Sequence, residues 1–553
     1  MGPARLVSAR APEAVASSLP QLIRRAASQW SDQHALSCVL PNGWTASLSY
    51  GEVDQQSDRM AGWFKHVAKI KRGDVVAIQA PNILSYPVVL LGALKAGAAV
   101  SGVNPLYTAR ELKRQLTDCQ ASVLVGFDVF GALIDEVAPS FPDMKVLMLS
   151  VADGFGLVRR NLVGALAKHV KRLVPKMSVP HTRFAEALQH ERATLPVAPD
   201  LALKDDEACF LAYSGGTTGD PKGVALTSRG LLINVAQVQS MSAERLQKPG
   251  LTAVLVLPLY HMYGGFMLAS TLSNGGHLVL APSPRPLSNL KAAFTRFRPD
   301  VFPGVNTLFA GLLEEEWFTE ELASSIDITF SGATALSPSV RDAWRARTGS
   351  EIVESYGMTE ATTVLTTNPL GAENRKGTCG VPVPGTTIRI VKDDGSVAQP
   401  GERGEVQAKG PQVMSGYRNA PELTEAAFDN GWLRTGDIGV LDEDGYLTIV
   451  DRLKDMIIVS GFNVYPGEIE DVIAAHPGVQ EVGVVGLPDA KSGEVPVAFV
   501  VRSDDQLAEV AIHQFCESLL TAYKRPKDIR FVDELPKSPV GKVLRRTLRE
   551  MAR

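Results

Sequence analysis

Cysteine is scarce: Cys38, Cys119, Cys209, Cys379 and Cys516 are the 5 in 553 residues, and no two form a Cys-x-x-Cys pair. Scattered and odd in number, they suggest neither a disulfide framework nor a zinc site, and a reducing, cytosolic setting is expected. Excess positive charge is missing too. The 56 Lys and Arg against 60 Asp and Glu leave a net charge of −4, which argues against general nucleic-acid binding. No hydrophobic run reads as a membrane span. The most apolar stretch, Tyr86 to Val103, is broken by Gly92, Lys95 and Gly97 and predicts a buried helix leading into a strand. Internal repeats, low-complexity tracts and a Ser-His-Asp or Cys-His nucleophile signature are all absent. Arg5, Arg10, Arg24 and Arg25 have the flavour of a transit peptide, yet Ser18-Leu19-Pro20-Gln21-Leu22-Ile23 reads as the start of a folded helix, so no import signal is expected. Gly2 lacks the hydroxyl residue at position 6 of a myristoylation signal, and Met551-Ala552-Arg553 is no peroxisomal address.

What is present is an ordinary globular composition, 45% hydrophobic and 21% charged, on a chain too long for one core. Apolar runs alternate with amphipathic segments. Asp74–Gln79, Ala121–Val125, Lys145–Leu149 and Leu251–Val256 read as buried strands, and Thr108-Ala109-Arg110-Glu111 is a capping box opening a helix between them. An α/β fold with largely parallel sheets is expected. Past Gly395, Gly401–Val406 and Gly445–Val450 resemble short antiparallel strands, a β-rich subdomain. The charged Asp451–Lys454 segment reads as a linker, and a small mobile α+β domain follows. The expected division is 1–451 and 452–553.

The densest chemical signal is Tyr213-Ser214-Gly215-Gly216-Thr217-Thr218-Gly219-Asp220-Pro221-Lys222-Gly223. Gly215, Gly216 and Gly219 let backbone N–H groups turn inward, Ser214, Thr217 and Thr218 add neutral donors, and Lys222 adds a mobile positive charge. That is the composition needed to wrap a polyphosphate. It is not the common P-loop, which ends Gly-Lys-Ser/Thr and opens a helix.

This loop resembles the phosphate-binding motif of the adenylate-forming superfamily, which includes acyl-CoA synthetases, luciferases and peptide-synthetase adenylation domains. Further segments are similar to that family, in order over more than half the chain. The resemblance implies ATP and Mg²⁺ as cofactors and CoA as co-substrate. It implies that His261, in Pro258–Gly264, lines the carboxylate and thiol approach. Gly332, Ala333 and Thr334 would flank adenine, Tyr356 would offer it an aromatic face, and Gly357 and Met358 would approach it closely. Thr359 would supply a phosphate hydroxyl, and Glu360 would hold Mg²⁺, with Thr217 as a second metal ligand. Asp437 would bind the ribose hydroxyls, with Arg452 near the ribose and Lys454 as the pivot of a hinge. Ser460 and Gly461 would pass the pantetheine arm of CoA. Lys542, in Pro536–Val543 among Lys537, Arg545, Arg546 and Arg549, matches the catalytic lysine, with Lys222 assisting pyrophosphate departure.

Within the superfamily, Asn104–Thr108, Lys171–Lys176, Gly304–Phe309 and Gly461–Pro466 resemble bacterial long-chain fatty acyl-CoA synthetases. The resemblance implies a medium- or long-chain fatty acid as substrate and Gly304–Phe309 as the tunnel wall. No basic residue falls in that run or in the His261 segment, which disfavours dicarboxylates. Gly264-Gly265 departs from the larger apolar residues usual there, leaving Tyr263 and Phe266 as aromatic gates. Aryl or short-chain acid CoA ligases, and a fatty acyl-adenylate ligase loading a carrier protein, remain as alternatives. Leu162, Leu166, Val170 and Leu173 recur at helical spacing in Arg159–Lys176 among Arg159, Arg160, Lys168, Lys171 and Arg172, as in a helix on an anionic membrane face or an ordinary surface helix. Peripheral contact with the inner membrane face and a homodimer stay open.

Overall fold

The structure, a computed structural model, describes residues 10–155, 174–197, 207–214, 222–241, 243–246, 248–371, 374–460, 462–489, 491–538 and 541–552. Most of the Arg159–Lys176 segment lies outside these, as do residues 215–221 and Gly461.

Buried β-branched runs separated by helices can pair only in parallel, because each crossover returns the chain to the same end of the sheet. Two large sheets arise this way among the described residues. In the first, of 8 strands, Ala208–Ser214, Ala99–Gly102, Val75–Gln79, Ala121–Phe127, Lys145–Leu149 and Thr182–Arg183 run parallel in that spatial order. Lys222–Thr227 folds back antiparallel on Ala208–Ser214, a hairpin whose register sets Ser214 opposite Lys222. In the second, of 9 strands, Ile352–Tyr356, Ile328–Ser331, Val301–Gly304, Thr252–Leu255, His277–Leu280 and His34–Val39 run parallel.

Several sequence expectations can be compared strand by strand. Lys145–Leu149 is a strand with those bounds, and the Ala121 strand runs on to Phe127. Tyr86–Val103 contains the buried helix Ser85–Lys95 and the strand Ala99–Gly102. Lys95 tolerates burial because its ammonium meets Asp54 Oδ1 at 2.5 Å and Asp58 Oδ1 at 2.8 Å. Thr108 caps Ala109–Cys119 as a full capping box, with Thr108 N donating to Glu111 Oε2 at 2.8 Å.

Past Gly395, Arg403–Lys409 and Leu447–Arg452 do form strands, but each pairs with Trp432–Leu441 rather than with the other. The Asp451–Lys454 segment is less of a linker than its charge suggests. Asp451 and Arg452 continue the strand in register with Ile438 and Asp437, and a 3₁₀ turn, Leu453–Asp455, follows. Cross-strand pairing, invisible in local composition, holds the first half of the segment. Beyond it a smaller α+β lobe packs its own core, in which Ile457, Ile469, Val484, Val500 and Ile512 are buried together. No helix among the described residues is long and apolar enough to cross a membrane.

Thr108→Ala removes the cap that receives Glu111 N and should cost about 1 kcal/mol. A lower urea midpoint for the large lobe would be the readout.

Candidate active site

The chain leaves each parallel strand of the nine-stranded sheet at the same edge, where ligands of open α/β sheets bind. Thr252–Leu255 leads to His261, Val301–Gly304 to Asn306, Ile328–Ser331 to Gly332, and Ile352–Tyr356 to Gly357. These four exits line one cleft of about 2630 Å³, closed on its other side by residues of the small lobe.

Its walls present polar atoms with nothing to bind. Ser331 Oγ, Thr334 Oγ1 and His261 Nε2 are buried and find no hydrogen-bond partner among the described residues. Unpaired buried polar atoms are costly, and a cluster of them in one cleft is what a site awaiting a polar ligand looks like. Ala333 is held in the left-handed region at φ +66°, and Thr334 N donates to Gly332 O at 2.8 Å, so this turn is strained where it meets the cleft. Burial pushes His261 down to about 4, so its imidazole is neutral near pH 7. Gly357 must be glycine: a Cβ there would stand 1.7 Å from Thr363 O. The 3₁₀ turn that follows, Thr359–Ala361, buries Glu360, whose Oε1 accepts from Tyr417 Oη at 3.0 Å. Lys222 Nζ lies 5.2 Å from the centre of the Tyr417 ring, so the hairpin lysine and the Glu360 carboxylate flank one aromatic residue.

At the opposite wall Asp437 is buried. It accepts from Tyr356 Oη at 2.6 Å and meets Arg452 Nε at 3.2 Å, its partner across the strand pair. Burial and the Asp437 charge hold the Tyr356 phenol far above its usual range. Lys542 reaches this wall from the small lobe. Gly541 brings its loop against the large lobe, where a Cβ would stand 2.7 Å from Thr307 Oγ1. Burial, then the Arg452 guanidinium, pushes the Lys542 ammonium down to about 7 against the pull of Asp437. Burial and Arg452 likewise push Lys454 down to about 8. Lys222, His261, Gly332, Ala333, Thr334, Tyr356, Gly357, Met358, Thr359, Glu360, Asp437, Arg452, Lys454 and Lys542 therefore line one cleft. Ser460 does not: it stands exposed on the small lobe at φ +52°. Gly215, Gly216, Thr217, Thr218, Gly219 and Gly461 lie outside the described residues, as does the Ser214 side chain.

Residues 23–418 match the AMP-binding enzyme family, and residues 468–542 match the AMP-binding enzyme C-terminal domain. The chain belongs to the AMP-binding enzymes. It is 40% identical over 538 residues to a long-chain-fatty-acid–CoA ligase of Salmonella typhimurium, covering 97% of this chain and 95% of that protein. A long-chain-fatty-acid–CoA ligase of Bacillus subtilis is 36% identical over 539 residues, with 96% and 94% covered. Among solved structures, ATP-bound MatB from Rhodopseudomonas palustris superposes with a TM-score of 0.82 at 29% identity, over 96% of this chain and 98% of that one.

In this AMP-binding enzyme the wall that sequence reasoning assigned to Gly304–Phe309 is divided. Phe309 is buried against Phe302 and Trp344, while Asn306, Thr307 and Ala310 face the cleft. The helix Asn306–Glu314 has two faces, and only one can line a cavity. Gly264 has a packing reason, since a Cβ would lie 2.2 Å from Pro258 O, and Tyr263 and Phe266 do face the cleft. Sequence reasoning also missed the role of the cations after Lys542. Arg545 Nη2 donates to both Glu470 carboxylate oxygens, at 2.9 and 2.8 Å, Arg545 Nη1 meets Asp451 at 3.0 Å, and Arg549 meets Asp455 at 2.9 Å. Arg546 alone of the three keeps to the surface, paired with Glu550. The four-residue spacing of Arg545 and Arg549 on one helix was the available signal.

Tyr356→Phe deletes a donor to a buried carboxylate and should lower stability by roughly 1–3 kcal/mol. Thermal unfolding without nucleotide tests this; an unchanged midpoint would mean that water replaces the phenol.

Proposed function

We propose that this enzyme activates a medium- or long-chain fatty acid with ATP to an acyl-adenylate and transfers the acyl group to CoA, releasing pyrophosphate and AMP. One observation carries the reading: the small-lobe lysine Lys542 stands in the same cleft as the Asp437–Arg452 pair, and that cleft also has apolar lining, including Val238, Leu251, Phe266, Met267 and Ala310. An alkyl chain suits it, since each buried methylene contributes about 0.8 kcal/mol. The fatty-acid ligases among the relatives support the same substrate class.

A carboxylate is a poor electrophile at neutral pH, so its hydroxyl-equivalent oxygen must first be made a leaving group. The fatty-acid carboxylate oxygen attacks the α-phosphorus in line, and the α–β phosphoanhydride bond breaks. Lys542 offsets the charge growing between carboxylate and α-phosphate, and Lys222 that on departing pyrophosphate. Tyr356 and the 332–334 turn would hold the adenine, and Asp437 the ribose. His261, neutral and buried, would line the acyl carbonyl. No side-chain nucleophile is required.

Glu360 fits magnesium: it is a buried hard-oxygen ligand beside Lys222, and no group of three or more His, Cys, Asp and Glu among the described residues forms a full protein cage. Mg²⁺ takes one or two carboxylates plus phosphate oxygens, and when bound it would neutralise polyphosphate charge. Thr217 belongs to the same proposed ligand set.

The lobes would divide at 451/452 and turn about Lys454, withdrawing Lys542 and presenting Ser460 and Gly461 to CoA. The exposed position of Ser460, outside the cleft that holds Lys542, supports this division of labour. A reducing cytoplasmic setting suits the 5 free cysteines. Contact with the inner membrane face through Arg159–Lys176, and a homodimer, belong to the same proposal.

Thioester formation measured from acetate and benzoate to C18 should peak between about C8 and C18. A peak at benzoate or a short acid would overturn the substrate class, and AMP release without thioester would point to a carrier protein. Lys542→Ala should cut adenylation by roughly 10²–10³-fold and spare thioester formation from supplied acyl-adenylate. Equal damage to both steps would count against it. Because the Lys542 ammonium is charged only below about 7 in the free cleft, kcat/KM for ATP in adenylation should fall as pH rises through that value. Bound polyanion should move the kcat limb to higher pH, and Lys542→Ala should remove both limbs.

A further inference from the structure

We propose that Asp451 is a positioning residue of the adenylating step: it latches the small lobe over the cleft, and its bonds must break before the CoA step. The proposal rests on the two-step reading above and adds what holds the lobe in place.

Asp451 is the next-to-last residue of the strand Leu447–Arg452, on the large-lobe side of Lys454. Its side chain is only 2% exposed. Oδ2 accepts from Gly467 N at 2.6 Å, and Oδ1 from Arg545 Nη1 at 3.0 Å and from Arg452 N at 2.7 Å. Two of these three donors, Gly467 and Arg545, lie beyond the Lys454 pivot. Gly467 lies in the first turn of the helix Pro466–Ala474, so the carboxylate faces the positive end of that helix. The approach is close: a Cβ on Gly467 would stand 2.9 Å from Val450 O. Arg545 is three residues beyond Lys542 and opens the helix Arg545–Met551, so its bond to Asp451 anchors the segment that carries the lysine.

The other ion pairs of this cluster have a different place. Arg545–Glu470 and Arg549–Asp455 join residues that all follow the pivot, so rotation about Lys454 leaves them intact. Rotation cannot spare the Asp451 bonds to Gly467 and Arg545. A carboxylate stripped of two donors is stabilised only if water reaches it, which favours the closed lobe until ligand contacts outweigh the latch.

The test uses full-length Asp451→Asn, Asp451→Ala and Arg545→Lys in single-turnover assays. Pyrophosphate release reads the first step; thioester formation from supplied acyl-adenylate and CoA reads the second. Adenylation should fall about 10- to 100-fold in Asp451→Ala and less in the two milder variants, with the second step unchanged or faster. Hydrogen exchange of the Gly467 amide in the unliganded enzyme should quicken in Asp451→Ala, a readout independent of activity. Equal loss in both steps, unchanged adenylation, or an unchanged Gly467 amide would overturn the latch. A wild-type enzyme that makes no acyl-adenylate would overturn the functional reading instead, while the exchange experiment would still decide the latch.

Discussion

Parallel pairing forces a chain to leave every strand of a sheet at one edge, and the whole cleft depends on that constraint. His261, Gly332 and Gly357 are separated by long stretches of sequence, yet each follows a strand of the nine-stranded sheet. Neighbouring strands lie about 4.8 Å apart, so consecutive exits are within reach of one small ligand. The antiparallel hairpin of the eight-stranded sheet then brings Lys222 to the same cleft from another direction.

Charge is distributed over this frame with a deficit that a ligand must fill. Arg452, Lys454 and Lys542 crowd one wall, and burial first, then the Arg452 charge, lowers the affinity of both lysines for their protons. Asp437 answers only part of that charge, since it also accepts from Tyr356. A polyanion entering the cleft would relieve the repulsion, so the apo site is electrostatically prepared for a nucleotide. Behind the wall, the Arg545 and Arg549 pairs are internally balanced by Glu470, Asp451 and Asp455.

Much of this was legible along the chain. Strands such as Lys145–Leu149, the Thr108 cap and the helix after Ser18 follow from short-range pattern, and the structure has them where the pattern puts them. The site motifs were legible as segments because each packs its chemistry into a few consecutive residues. The places where reading faltered share a cause. The segment Asp451–Lys454 looked like a linker, Arg545 and Arg549 stood only as cations neighbouring Lys542, and Phe309 looked like a tunnel wall. In each case the deciding partner is distant in sequence: Ile438 for Asp451, Glu470 for Arg545, Trp344 for Phe309.

Sequence alone determined the family, the α/β layering and the residue types of the cleft, because hydrophobic period, turn chemistry and compact motifs are local properties. Tertiary structure alone decided which face of the Asn306–Glu314 helix meets the cavity, and that Tyr356 and Arg452 share the Asp437 carboxylate. It also decided that Lys542 of the small lobe stands in one cleft with Asp437 and Arg452. Those outcomes are set by burial and by charge pairing across hundreds of residues, and neither is written in any window of the chain.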